Sequence, residues 1–346
     1  MIYVVIAFLW TSLLLYLLLG GADFGAGIIE LFTSSKNKEK TQHTAYKAIG
    51  PIWEANHMWL IIAIVILFVG FPAIYTTMSI HLHIPLLLML MGIIARGTAL
   101  TFRHYDAVVD DMQVVYRRIF IYSSFLTPFF LGIIAGSTVS GKIDTDAVTF
   151  ADAYIFSWLH LFSISVGFFT VAICGYLAAV YLIGEVKEPL DKERYIMKAK
   201  ILQGISVLAG ALVFAAAAYE HVPLVQWVFG QPVGIAAVVL AMTAAIIFRL
   251  RIRKAERGYL RVLAAFQVTM ILLVTTYHHY PDVVLLKNGH HLSLLEAQGQ
   301  PKTMEALGWA LLLGSIFILP ALFYLMYSFQ KKNKAEAFQT EGTSVL

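Results

Sequence analysis

Glu54 and His57 stand three residues apart in Gly50-Pro51-Ile52-Trp53-Glu54-Ala55-Asn56-His57-Met58-Trp59-Leu60, just before a run, Met58 to Ala95, that contains no Asp, Glu, Lys or Arg. On a helix that spacing puts the acid and the imidazole on one face. Pro51 suits a first helical turn, where its missing N–H costs nothing, so the helix is expected to start there. A carboxylate where water gives way to apolar sequence is costly to ionise and marks a functional position. The chemistry these residue types offer is proton handling, with Glu54 as the candidate group.

A second acid, Asp23, lies in Gly20-Gly21-Ala22-Asp23-Phe24-Gly25-Ala26-Gly27, after a stretch with no charged side chain from Met1 to Ala22. Gly21 and Gly25 form a small-xxx-small face that lets another helix approach closely. Glu30, seven residues on, falls on roughly the same face. Asp23 reads in two ways, as a hydrogen-bond acceptor at a tight helix contact or as a second station for the proton that Glu54 takes up. Arg96, followed by Thr98, Thr101, Arg103, His104 and Tyr105, could hold a carboxylate, a lipid phosphate or a heme propionate, or its long stem could let the charge reach the interface.

The eleven histidines are scattered, with no pair at i, i+4 and no H-E-x-x-H pattern, so local metal chelation is not expected. Axial heme ligands come from distant helices, which leaves His57 and His160 open as ligands at this point. Cys174, the single cysteine, lies in an apolar run and reads as packed core; it excludes an internal disulfide and a cysteine-based zinc or iron–sulfur site. No P-loop, dinucleotide fingerprint or catalytic serine motif is present.

The elements that must position these residues are membrane helices. Of the 346 residues 59% are hydrophobic and 13% charged, with a mean hydropathy of +0.76, where a soluble domain carries about 25% charged residues. Runs of about 20 apolar residues, enough to cross a bilayer, fall near 2–32, 52–71, 79–101, 118–138, 153–183, 200–218, 231–249, 259–279 and 306–329. The reading is an all-α polytopic membrane protein of nine transmembrane helices. Its second and third helices are separated at Gly70-Phe71-Pro72, and its fifth is long enough to tilt or to extend beyond the bilayer.

Apart from Arg96 within a helix and Lys142, Lys287 and Lys302, the Lys and Arg residues, 21 of the 25, fall in loops on one side or in the C-terminal segment. That asymmetry places the basic side in the cytoplasm, the N-terminus outside and the C-terminus inside. It also accounts for the net charge of +4 without a nucleic-acid partner. Residues 1–330 form a single transmembrane domain and 331–346 a cytoplasmic polar tail. No loop is long enough for a soluble domain, and the external segment Tyr280 to Glu305 reads as a short amphipathic piece packing on another subunit.

The two motifs together, Gly20 to Gly27 in helix one and Gly50 to Leu60 opening helix two, within nine spans, resemble subunit II of cytochrome bd quinol oxidase over essentially the whole chain. Asp23 and Glu54 occupy the acidic positions of that pattern, Glu54 where other members often carry Asp. The resemblance implies a bacterial cytoplasmic membrane complex in which subunit I holds two b-type hemes and one d-type heme and oxidises quinol. Subunit II would ligate no heme, complete the assembly and supply part of a cytoplasmic proton path, with Asp23 and Glu54 as relay groups and Trp53, Asn56 and His57 shaping the path. The complex would reduce O₂ to water and separate charge without pumping, with a smaller accessory subunit in this branch. The alternative is an independent proton-coupled transporter, which would also carry intramembrane acids.

Overall fold

The computed structural model describes residues 1–49, 53–105, 110–186, 188–254 and 256–342. Its first span is built from α1 (Ile2–Leu15), one π-helical turn (Tyr16–Gly20) and α2 (Gly21–Leu31). Polar α3 (Ser35–Ile49) leads to α4 (Trp53–Gly70), α5 (Pro72–His81), α6 (His83–Tyr105) and α7 (Asp110–Val139). Then come α8 (Phe150–Tyr154), α9 (Leu161–Ile183), α10 (Pro189–Tyr219), α11 (Leu224–Phe229), α12 (Pro232–Arg251) and α13 (Arg257–His279). A hairpin of β1 (Asp282–Leu285) and β2 (His291–Ser293) precedes α14 (Pro301–Gly342). Among the described residues nine helices are long and apolar enough to cross a membrane, in agreement with the count from hydropathy.

The bundle is organised around α9, of whose most apolar stretch 78% is buried, against 11% for α14. It lies among α2, α7, α10 and α13. Close approach to α2 depends on Gly25: a Cβ there would lie 1.9 Å from the carbonyl oxygen of Cys174. The small-xxx-small face read from the sequence is thus the face that meets α9, and Cys174 is a buried free thiol within that contact. Without a hydrophobic driving force between helices in lipid, such backbone proximity is what holds them together.

Two local expectations change. The fifth span, read as 153–183 and long, is broken: Thr149 accepts the Asp152 amide to start α8, and after a turn His160 is extended before α9 begins at Leu161. What fixes the break is Glu220, just past α10, which accepts the Leu161 amide at 2.7 Å through Oε1. Its other oxygen accepts from Lys142 Nζ at 2.7 Å and lies 3.1 Å from His160 Nδ1. The segment after Tyr280 is a hairpin whose Val284, Leu286 and Leu294 are buried in this chain's own core with Val5, Ile66, Met304 and Leu307, rather than held out for another subunit. The helix of α14 continues to Gly342, through most of the segment read as a polar tail. The second and third spans separate where proline and glycine placed the break, with α4 ending at Gly70 and Pro72 opening α5. The expected helix start at Pro51 lies outside the described residues.

The Lys142–Glu220–His160 cluster makes stability depend on pH. Burial is the main cause that pushes His160 down from 6.5 to about 4. Burial alone would raise Glu220, but Lys142, the Leu161 amide and His160 together hold it below its ordinary range. Between pH 6.5 and 4 the unfolded chain binds a proton at residue 160 that the folded chain refuses, so stability falls as pH is lowered through that window. Glu220 acts in the same direction, since its contribution is lost on protonation. The thermal unfolding midpoint of the purified protein is expected to drop from pH 6.5 to pH 4, and His160→Asn is expected to flatten the drop; an unchanged slope in that variant contradicts the assignment.

Candidate functional site

Arg96, on α6, is the largest fully buried side chain among the described residues, with no exposed surface. A guanidinium in that position needs its charge and its donors matched. Asp23, in the first turn of α2, does so with both oxygens: Arg96 Nη1 donates to Oδ2 at 2.7 Å and Nη2 to Oδ1 at 2.6 Å, while Nη2 also reaches the Asp23 carbonyl at 3.1 Å. The remaining edge, Nε, donates to Ser124 Oγ on α7 at 3.1 Å. The rings of Phe24 and Phe120 lie over the cation, 5.0 and 5.1 Å from its centre, which adds a favourable quadrupole. Gly27 makes the arrangement possible, since a Cβ there would lie 2.3 Å from Ser124 Oγ.

Of the anions that the sequence offered Arg96, the guanidinium is thus filled by a carboxylate of this chain. Both side chains are only 1% exposed. The reading of Asp23 as an acceptor at a tight helix contact describes this geometry directly.

Next to the ion pair lies a second group of polar atoms. The π turn immediately before α2 carries Tyr16, whose ring meets Phe24 edge-on at 6.2 Å and His57 at 6.0 Å. His57, on α4, is enclosed by Tyr16, Phe24 at 5.8 Å and Trp53 at 6.0 Å. Tyr16 Oη and His57 Nδ1 are buried without a hydrogen-bond partner among the described residues. π turns recur at functional sites because they turn side chains away from the regular helical register.

Trp53 and His57 are one turn apart and face this group. Asn56 is buried, 6% exposed. Glu54 is exposed, on the first turn of α4. Glu54 and Asn56 are two positions apart and so point to nearly opposite sides of the helix. Burying one exposes the other.

At the same end of the bundle a cavity of about 560 Å³ is lined by Glu39, Gln42, His43, Tyr46, Gln113 and Arg117. Tyr46, one of its lining residues, packs with Trp53 on the apolar cluster of Ala99, Leu100, Phe120 and Ile121.

Asp23, Arg96, His57 and Trp53 therefore converge, Asn56 is buried on the same helix, and Glu54 stands at the surface. Tyr16, Ser124, Phe24 and Phe120 completed the site without having been singled out in the sequence. His160, the other histidine open to heme ligation, lies in the Glu220 cluster instead. No group of three or more His, Cys, Asp or Glu able to hold a metal occurs among the described residues.

Comparison with known proteins gives a consistent result. Residues 1–329 match the family described as cytochrome bd terminal oxidase subunit II. The cytochrome bd ubiquinol oxidase subunit 2 of Bacillus subtilis (strain 168) is 25% identical over 337 residues, which cover 94% of this chain and 96% of that protein. The cytochrome bd-I ubiquinol oxidase subunit 2 of Escherichia coli (strain K12) is 26% identical over 188 residues, 52% of this chain and 49% of that one. A chain in the structure of bd oxidase from Geobacillus thermodenitrificans has the same fold, with a TM-score of 0.75 at 21% identity, over 95% of this chain and 98% of that chain.

Removing one partner of the Asp23–Arg96 pair leaves the other buried and uncompensated. Asp23→Leu and Arg96→Met are each expected to cost about 3–5 kcal/mol of stability. The double variant Asp23→Leu/Arg96→Met is expected to cost well under the sum of the two. Unfolding of the three variants in mild detergent measures this; additive losses would mean that the two charges are not coupled.

Proposed function

The chain belongs to the cytochrome bd terminal oxidase subunit II family, and from that membership we propose that it is the non-heme-ligating subunit of a quinol:O₂ oxidoreductase, supporting assembly of subunit I and carrying part of its cytoplasmic proton path. Two b-type hemes and one d-type heme belong to subunit I, quinol is the substrate of the complex, and a small accessory subunit completes it. The N-terminus faces outside and the C-terminus the cytoplasm, as the distribution of Lys and Arg requires. O₂ is reduced to water with protons drawn from the cytoplasm, so charge is separated without a pump.

The observation that carries this reading is the pair of buried atoms, Tyr16 Oη and His57 Nδ1, without a hydrogen-bond partner among the described residues, whose rings pack on Phe24 beside the Asp23–Arg96 pair, on the helix that also carries the exposed acid Glu54 in the case of His57. A buried polar atom without a protein partner calls for an explanation, and a water or a proton shared with a neighbour supplies one. Glu54 collects a proton at the surface. His57, one turn further along α4, is the next group able to hold it. Trp53 closes the ring on one side, and buried Asn56 fixes the opposite face of the helix.

Asp23 contributes differently from Glu54. A proton arriving at its carboxylate would have to displace two guanidinium hydrogen bonds of 2.6 and 2.7 Å. Its part in the path is therefore to set the field around His57 and Tyr16, with Glu54 and His57 as the carriers.

In the intact complex Glu54→Gln is expected to lower quinol-driven O₂ consumption by roughly a hundredfold, the low end for loss of a proton-transfer group, while the visible heme spectrum is kept. Full turnover with the spectrum intact would remove Glu54 from the path. Loss of the spectrum in both Glu54→Gln and Glu54→Ala would instead assign the residue to assembly.

A further inference from the structure

A second cavity, of about 330 Å³, opens at the end of the bundle where the basic residues gather, between the turn after α2, the start of α3 and the first turns of α10. Its charged side chains are Lys40, Asp191, Arg194 and Lys198. Lys40 is paired with Glu188 and Asp191, and Arg194 with Asp191 at 2.8 Å. Lys198 is the exception. Its ammonium donates to Thr33 Oγ1 and lies 5.9 Å from the centre of the Tyr195 ring, and among the described residues no carboxylate stands within ion-pair distance of it. Three cations against the carboxylates of Glu188 and Asp191 leave one positive charge in excess. The wall beside Lys198 supplies neutral donors: Asn37 Nδ2 donates to Ser34 Oγ at 3.3 Å, which leaves the Ser34 O–H free to donate in turn.

The depth of the cavity in the membrane follows from α10. From Ile201 to Tyr219 the helix carries no charged residue, a rise of about 28 Å that matches a hydrocarbon core of about 30 Å. Lys198 therefore stands at the headgroup level, as does Thr33, two residues past the end of the first span at Leu31. Towards the membrane the rim becomes apolar and open: Phe32 is 70% exposed, Met197 57% and Ile201 53%. A single uncompensated cation among hydroxyl and amide donors, with an apolar wall leading into the acyl region, has the chemistry of a headgroup site.

We propose that this cavity binds the phosphate of an anionic phospholipid, with Lys198 as its counter-charge, Ser34 and Asn37 as neutral donors, and an acyl chain lying along Phe32, Met197 and Ile201. Lys is suited to this role because its ammonium acts as a compact point charge that does not require a planar, two-pronged partner.

The test uses the complex with its partner subunit, exchanged into nanodiscs of phosphatidylcholine. Phosphatidylglycerol is titrated in one arm and inorganic phosphate in the other, and bound ligand is read by native mass spectrometry and by the thermal unfolding midpoint. The wild type is expected to retain phosphatidylglycerol and to gain thermal stability. Lys198→Gln is expected to need about fivefold more lipid for the same occupancy, the loss of one interfacial cation, and Lys198→Arg to restore most of it. Saturation by inorganic phosphate alone, lost in Lys198→Gln, would keep the anion site and make free phosphate its source. Equal behaviour of wild type, Lys198→Gln and Ser34→Ala in both arms overturns the proposal. Because Lys198→Arg keeps the charge, a folding defect confined to Lys198→Gln does not decide the outcome.

Discussion

The buried ion pair of Asp23 and Arg96 is the constraint around which the rest of the site is arranged. Two charges removed from water are expensive, and their attraction repays that cost only when every donor and acceptor is met. Here the guanidinium is met on three sides, by both carboxylate oxygens, by a main-chain carbonyl and by Ser124. Those partners come from α2 and α7, so satisfying one side chain of α6 fixes three helices against each other. Gly27 gives Ser124 its place, and Gly25 brings the other side of α2 against the backbone of α9. The glycines of the first span thus serve the charge as much as they serve the packing.

Fixing Asp23 in this way divides the two acids that the sequence treats as equivalent. Asp23 is locked on both oxygens, while Glu54 is exposed and sits where the N-terminal end of α4 favours a negative charge. A group that must take and release protons cannot also be the permanent partner of a buried guanidinium. The π turn supplies the connection, because it places Tyr16 against both His57 and Phe24, and Phe24 in turn lies under the Arg96 cation. His57 therefore feels the ion pair without being hydrogen-bonded to it.

How much of this was legible in the sequence depended on whether the signal was local. The count of nine spans follows from long apolar runs, and the close helix contact at Gly25 follows from small residues at helical spacing; the structure agrees with both, with the fifth span shorter than its run. The pairing of Asp23 with Arg96 was within reach, since each is an ionisable group in an otherwise apolar stretch and a bilayer leaves such charges little choice but each other. The sequence put both on the page and left Arg96 with several anions. Ser124 gave no sign among the other hydroxyls of α7. The break before α9 was not legible, because residues 153–183 are apolar throughout and the interruption is imposed by Glu220 and Lys142 from distant positions. Nor was the hairpin after Tyr280 legible, as its leucines read equally well as a surface for a partner and as a lid on this chain's own core.

Exposure has to be read differently for the residues of α4 than it would be in water. Ile61, Ile64, Val65 and Phe68 are exposed, which in a bilayer marks contact with acyl chains as readily as contact with a protein, so none of them identifies an interface. Glu54, on the same helix, does discriminate. A carboxylate facing acyl chains is costly, so its surroundings must be water, headgroups or the polar surface of another chain. Each of those surroundings can exchange a proton with a carboxylate. The asymmetry of the two acids thus lies in their surroundings: the interior carboxylate is held on both oxygens by Arg96 and ties α2 to α6, and the peripheral one faces a polar medium at the end of α4.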